Sequence, residues 1–190
     1  YKGPGFVEHD LREKAAAAGI ELPPFQTEFL ESKNWLKENV IKFAPVEVED
    51  FIIYGIHEKD IPPSDKVTLR IYAATAFGSE HQTTKSCLRA ISHLNRLGAA
   101  HRNILDMGTG SGILALAAAK LWPDAARITA VDIDPEAVAV TRQNARDNHL
   151  EKYLTVAVSN GYNSDLVQNN APYDIIIANI LARPLIEMAP

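Results

Sequence analysis

The chain has 190 residues, 46% hydrophobic and 23% charged, a globular profile with room for one full domain and a small attachment. Lys plus Arg number 19 against 24 Asp plus Glu, a net charge of −5 that offers no overall basic face to a nucleic-acid backbone. No apolar run approaches the ~20 residues of a membrane span, and the single cysteine, Cys87, excludes an intramolecular disulfide or a multi-cysteine metal cluster, so the expectation is a reduced cytoplasmic protein with no membrane or direct nucleic-acid binding.

The chain starts at Tyr1 and stops at Pro190, a few residues into what reads as a new helix, so both ends read as cut from a longer frame. Residues 7–18 read as a short helix with Gly19 as its stop, and Pro23 and Pro24 break the chain after it. Residues 32–43 read as a second short helix capped by Ser32. Residues 51–57 and 67–72, rich in β-branched and aromatic side chains, read as strands joined through a turn at Pro62, Pro63 and Ser64. Thr83 and Thr84 introduce a helical stretch that ends at Gly98.

From residue 103 the pattern becomes regular. Strands are expected at 103–107, 127–132, 154–159 and 173–178, with helices from the glycine loop through Lys120 and over 135–147. Alternation of this kind predicts right-handed crossovers and a mostly parallel α/β sheet. The strands are near-continuous apolar runs, as burial on both faces requires. The asparagine-rich stretch with Asn160, Asn163, Asn169 and Asn170 carries no readable motif.

The clearest chemical signal is Asp106-Met107-Gly108-Thr109-Gly110-Ser111-Gly112, between a strand and a helix. Glycines there let a ligand approach the backbone closely. Asp132 ends the next strand 20 residues past Gly112, where an acidic side chain meets ribose hydroxyls. Each charge-assisted bond from such a carboxylate contributes roughly 1.5–3 kcal/mol. The loop reads G-x-G-x-G rather than the dinucleotide G-x-G-x-x-G, and the extra acid Asp106, expected at the mouth of the site, would repel a pyrophosphate and suit an amino group. These features point to S-adenosylmethionine, which carries a cationic sulfonium and no phosphate. Asp134 before Pro135 reads as a helix cap.

The last strand runs into Asn179-Ile180-Leu181-Ala182. In open α/β sheets ligands sit beyond the carboxyl ends of the strands. An asparagine oxygen there could accept a hydrogen bond from an amine and hold it in line for methyl transfer. Bringing an amine of pKa ~10.4 to its neutral form at pH 7 costs about 4–5 kcal/mol, and desolvation lowers that cost. The competing role for Asn179 is to cap the helix near Arg183 and Pro184.

Together, Ala76-Phe77-Gly78-Ser79-Glu80-His81-Gln82-Thr83-Thr84, the 106–112 loop, Asp132-Ile133-Asp134-Pro135 and Asn179-Ile180-Leu181-Ala182 resemble the bacterial ribosomal protein L11 methyltransferase family, from about Trp35 onward. The glycine loop is general to class I methyltransferases, whereas the first and last elements are much more specific. The resemblance implies a small N-terminal α+β recognition domain, a linker and a C-terminal class I, Rossmann-like methyltransferase domain. On this chain it implies a recognition remnant at 1–31, a linker helix and two-stranded lead-in at 32–75, and an incomplete cofactor domain at 76–190 with the first four of seven strands. It further implies methyl transfer from S-adenosylmethionine to lysine side chains and the N-terminal amine of ribosomal protein L11. Thr84, Gly108, Asp132 and Asn179 fall on the family's cofactor contacts. Asp106 and Gly110 complete the expected cofactor set, and Asn179 is the expected catalytic residue. Glu80 stands where the family has a glycine and Gln82 where it has a proline.

Other residues carry less. Cys87 reads as a small core residue, His81 as an organiser of its loop, and Trp35 and Trp122 as packing anchors. His9, His57, His93, His101 and His149 lack metal-ligand spacing. Rival expectations are a class I enzyme acting on another amine or on nucleic acid, for which the usual Asn-Pro-Pro-Tyr is absent at 179–182; an NAD-dependent oxidoreductase; and a product that binds cofactor without catalysis.

Overall fold

The computed structural model describes residues 8–24, 43–72, 82–98, 101–124 and 127–188. The chain separates into two compact units, 1–34 and 35–190. The expected domain limits at 31/32 and 75/76, the helix expected at 32–43 apart from its last residue Phe43, and the expectations for Trp35, Glu80 and His81 lie outside the described residues. In the first unit helix α1 (Glu8–Ala17) ends at Gly19, whose φ of +68° takes the left-handed turn that stops a helix.

The second unit opens with a small sheet, β1 (Val46–Val48), β2 (Phe51–Gly55) and β3 (Val67–Ile71), in that spatial order. β1 runs antiparallel to β2, and β3 runs parallel to it. The three-residue β1 was not expected from sequence because it is too short to show alternation. Helix α2 (Gln82–Arg96) follows. The main sheet is wholly parallel: β4 (Asn103–Met107), β5 (Arg127–Asp132), β6 (Leu154–Val158) and β7 (Ile175–Ala178), ordered β6-β5-β4-β7. Helices α3 (Ile113–Leu121), α4 (Pro135–Asp147), α5 (Asp165–Asn169) and α6 (Ala182–Met188) alternate with these strands. This is the expected Rossmann-like arrangement. Among the described residues no helix is long and apolar enough to cross a membrane.

Side-chain alternation along β4 divides the core in two. Ile104 joins Ile128, Leu69, Ile71 and the α3 alanines in one cluster, while Leu105 and Met107 join Val131 and Val167 of α5 in the other. Asp106 shares a face with Ile104 and therefore points under α3. Helix α3 is buried from Ile113 through Ala119, as its unbroken apolar run requires.

A second join ties the small sheet to the large one. β3 uses residues 67, 69 and 71 toward β2, which leaves the backbone of Arg70 and Tyr72 facing the other way. Asn148 accepts from the Arg70 N–H (2.9 Å) and donates to its carbonyl (2.6 Å). Asn144 accepts from the Tyr72 N–H (2.6 Å) and donates to its carbonyl (3.4 Å). Four residues of helix rise about 6 Å and two residues of strand about 6.6 Å, so the two amides match the strand's repeat. α4 thereby serves β3 as a substitute neighbouring strand.

Candidate functional site

The chain order and the spatial order reverse between β4 and β7, which makes the crevice beyond their carboxyl ends the switch point of the sheet. Met107 pairs with Ala178 and with Val131, so Gly108, Asn179 and Asp132 lie side by side past the strand ends. A cleft of about 840 Å³ opens there, within the size range of small-molecule sites. Met107, Gly108 and Asp132 form its floor; Ile133, Tyr162 and Ile180 stand around it.

Positive φ angles at Gly108 (+74°), Gly110 (+56°) and Gly112 (+80°) set the loop's path. The N–H groups of Gly108 and Thr109 both donate to the Val131 carbonyl, at 2.8 and 2.9 Å, which carries the loop across the end of β5. A Cβ at position 108 would collide with the Ile180 side chain, so the floor is a cradle only glycine leaves open. At position 112 a Cβ would stand 2.8 Å from Thr141 Cγ2 and 3.3 Å from its Cα. Helix α4 therefore lies directly against the loop.

Asp132 accepts from the Gly110 N–H at Oδ2 (2.9 Å) and from the Asp134 N–H at Oδ1 (3.0 Å). Each oxygen keeps a lone pair for a further donor. Among the described residues that line the cleft, Asp132 and Glu187 are acidic and none is lysine or arginine, while Arg183 pairs with Glu187 at 2.8 Å. That lining fits a ribose and a cationic group and offers nothing to a pyrophosphate. The residues present thus fit S-adenosylmethionine better than a dinucleotide.

Asp106 departs from expectation. It is 1% exposed and absent from the cleft wall, because strand alternation turns it beneath α3. Its Oδ2 accepts from Thr109 Oγ1 (2.7 Å) and from the Ala115 N–H (3.2 Å). Gly112, at the N-cap of α3, has no side chain to accept from the helix's first N–H groups, and Asp106 accepts that of Ala115 from the preceding strand. Burial pushes its carboxyl up from 3.8 to about 6, against the two hydrogen bonds, with the charge of Asp132 adding a smaller upward push. The acid placed at the mouth of the site by sequence reading is a helix cap below its floor.

Thr84 and Asn179, 95 positions apart, meet: the Asn179 amide donates to Thr84 Oγ1 at 2.9 Å. Thr84 is 1% exposed in the first turn of α2. The Asn179 N–H₂ is thus engaged across the site, with Oδ1 left as the amide's acceptor. Asp134 caps α4 as expected, accepting from the Glu136 N–H at 2.8 Å. Cys87 packs half-buried against the core, where burial first and Asp106 second push its thiol up. Trp122 is buried in edge contact with His101, centroids 4.7 Å apart. Among the described residues no group of three His, Cys, Asp or Glu could hold a metal.

Sequence reading passed over Thr141 and Asn144. Thr141 Oγ1 donates to the Gly110 carbonyl (3.0 Å) and Asn144 Nδ2 to the Ser111 carbonyl (2.8 Å). Their signal was present: with Asn148 they form a polar line at 141, 144 and 148 among the buried Ala137, Val138, Val140 and Ala145. Polar groups on such a face are buried with partners.

Residues 8–190 match the family described as Ribosomal protein L11 methyltransferase (PrmA). A Ribosomal protein L11 methyltransferase from Rhizobium meliloti (strain 1021) is 42% identical over 187 residues, covering 96% of this chain and 63% of the relative. One from Sinorhizobium fredii is 40% identical over 177 residues, covering 93% and 60%. The crystal structure of ribosomal protein L11 methylase from Lactobacillus delbrueckii subsp. bulgaricus is similar at 30% identity with a TM-score of 0.55, over 73% of this chain and 65% of that one. The chain spans about three fifths of the length of these curated relatives. On the match over 8–190 and on these identities, the chain belongs to the ribosomal protein L11 methyltransferase family.

Proposed function

We propose that residues 76–190 form the cofactor-binding part of an enzyme that transfers methyl groups from S-adenosylmethionine to lysine side chains and the N-terminal amine of ribosomal protein L11. The observation that carries this reading is the Asn179–Thr84 hydrogen bond of 2.9 Å, which joins the two most family-specific elements beside Gly108. When bound, the cofactor supplies an electrophilic methyl carbon on a sulfonium.

The chain's own groups account for the rest. Asp132 offers its remaining lone pairs to ribose hydroxyls. Gly110 contributes by holding that carboxylate with its N–H, and Gly108 by leaving the floor clear. Thr84 fixes the Asn179 amide so that Oδ1 accepts from the incoming amine and orients its lone pair. The apolar walls favour the neutral amine by desolvation. Asp106 contributes from beneath, by capping α3 and steadying the loop. A net charge of −5 and a lining without lysine or arginine among the described residues support a protein amine over a nucleic acid as acceptor, in the cytoplasm.

Calorimetric titration with S-adenosylhomocysteine tests the cofactor site. The expected result is micromolar binding, weakened about tenfold to a hundredfold in Asp132→Ala by loss of the charge-assisted ribose bonds, with no heat from NADH. Transfer of labelled methyl to purified ribosomal protein L11, reduced in Asn179→Ala by a much larger factor than cofactor affinity, tests the role of Asn179 in orienting the amine. NADH binding would overturn the cofactor assignment, and undiminished transfer by Asn179→Ala would overturn the residue's role.

A further inference from the structure

We propose that Thr141 and Asn144 of α4 are positioning residues that clamp the glycine loop, and that cofactor affinity depends on this clamp; the second half rests on the cofactor site proposed above. With glycine at 108, 110 and 112, the loop has more backbone states to lose on ordering than a seven-residue stretch without glycine. The two α4 side chains select one of them. Thr141 fixes the Gly110 carbonyl at 3.0 Å and Asn144 fixes the Ser111 carbonyl at 2.8 Å, both drawn toward α4 and away from the cleft. That choice leaves the Gly110 N–H directed at Asp132 Oδ2, which sets the ribose acid. A loop already held in its binding form loses less freedom when ligand arrives.

Asn144 does more than hold the loop. Its Oδ1 accepts from the Tyr72 N–H while its Nδ2 serves Ser111, so one buried amide joins the end of β3 to the floor of the site. Tyr72 immediately precedes the segment 73–81 that leads in sequence to Thr84. Asn148, the C-cap residue one turn past Asn144, donates to the Arg70 carbonyl and to the Asn144 carbonyl at 2.6 and 2.8 Å and touches no loop residue by hydrogen bond among the described residues. The two asparagines have the same chemistry and the same strand, and only one of them reaches the site.

That difference supplies the control. Asn144→Ala, the near-isosteric Thr141→Val, and Asn148→Ala are compared for S-adenosylhomocysteine affinity, thermal midpoint and amide hydrogen exchange of the ligand-free protein at Gly110 and Gly112. The expected result is affinity weakened about tenfold or more, and exchange at both glycines faster by a similar factor, in Asn144→Ala and Thr141→Val. Asn148→Ala is expected to lower the midpoint while leaving affinity and glycine exchange within about twofold. Thr141→Val keeps the contact with Gly112 and carries the test if Asn144→Ala does not fold. Unchanged loop exchange in the Thr141 variant, or equal losses of affinity at 144 and 148, would overturn the clamp. Absence of ligand binding by the parent protein with slowed exchange at Gly110 and Gly112 that Thr141→Val removes would overturn the cofactor reading and the affinity half of the proposal, and uphold the clamp on the loop.

Discussion

The floor of the cleft, from Met107 to Asp132, and its wall, from Ser159 to Met188, meet the same space on different terms. The floor is held by hydrogen bonds: Asp106 caps α3 from beneath it, Asp132 takes two backbone N–H groups, and α4 holds two loop carbonyls. The wall rests on α5 and α6, of 5 and 7 residues, too short to be stable helices alone. No residue of α6 is buried, and Leu181 and Ile186 are 78% and 74% exposed. The floor therefore has hydrogen-bonded, fixed geometry around Asp132, the proposed ribose anchor, and the wall is exposed apolar surface on short helices.

The largest differences between floor and wall are expected at two glycines, one facing each region. Alanine at Gly112 must hold a φ of +80° and press its Cβ against the fully buried Thr141. Strain and overpacking together are expected to cost about 2–5 kcal/mol. Alanine at Gly108 meets only the Ile180 side chain, on the adaptable wall, at a φ of +74°. Its expected cost to stability is about 1–2 kcal/mol, with S-adenosylhomocysteine affinity reduced more than tenfold by the filled cradle. Denaturant midpoints and calorimetry on the two variants separate these outcomes. Equal stability losses would mean that wall and floor are equally rigid.

Asp106 makes the stability of the floor depend on pH. Its folded pKa of about 6 stands above its ordinary value of 3.8 because burial disfavours the charged form. A raised pKa in the folded state stabilises the protein fully below the ordinary value. That contribution is lost as pH rises from about 4 to about 6. Across this window the protein is expected to lose roughly 3 kcal/mol of stability that Asp106→Asn does not lose. Urea midpoints of both proteins at pH 4, 5, 6 and 7 measure the difference. A constant offset at all four values would show that Asp106 is ionised throughout and that the cap is worth more than the burial costs.

The sequence reading was most complete where local chemistry and periodicity agree. β4, β5 and α4 fall at 103–107, 127–132 and 135–147, as expected, because each couples an apolar run to a cap or a glycine turn. The strand expected at 173–178 begins at Ile175, since Asp174 spends its carboxylate on the Arg102 and Asn103 N–H groups at the start of β4. Helix α5 was hidden in an asparagine-rich stretch with little apolar content beyond Leu166 and Val167. Asp106 was placed on the wrong side of the loop because a motif gives residue order, whereas the pleat of β4 decides the face. The join of Thr84 to Asn179 and the α4 clamp depend on contacts between distant segments, which one sequence does not display.

The smallest expected effect lies on the outer wall. Ile186 is 74% exposed in a helix without a buried residue, so Ile186→Lys removes little packing, and a surface change of this kind shifts stability by no more than about 0.5 kcal/mol. The same change adds a charge to a region that also exposes Leu181, Leu185 and, on β7, Ile176. Among the described residues β7 pairs on one side only, with β4. An apolar edge of this kind associates with other chains, and a lysine nearby opposes that. The variant is therefore expected to scatter less light at high concentration with an unchanged urea midpoint. An unfolding free energy lowered by more than about 1 kcal/mol would place Ile186 in a packed contact, and the wall would then hold its shape as the floor does.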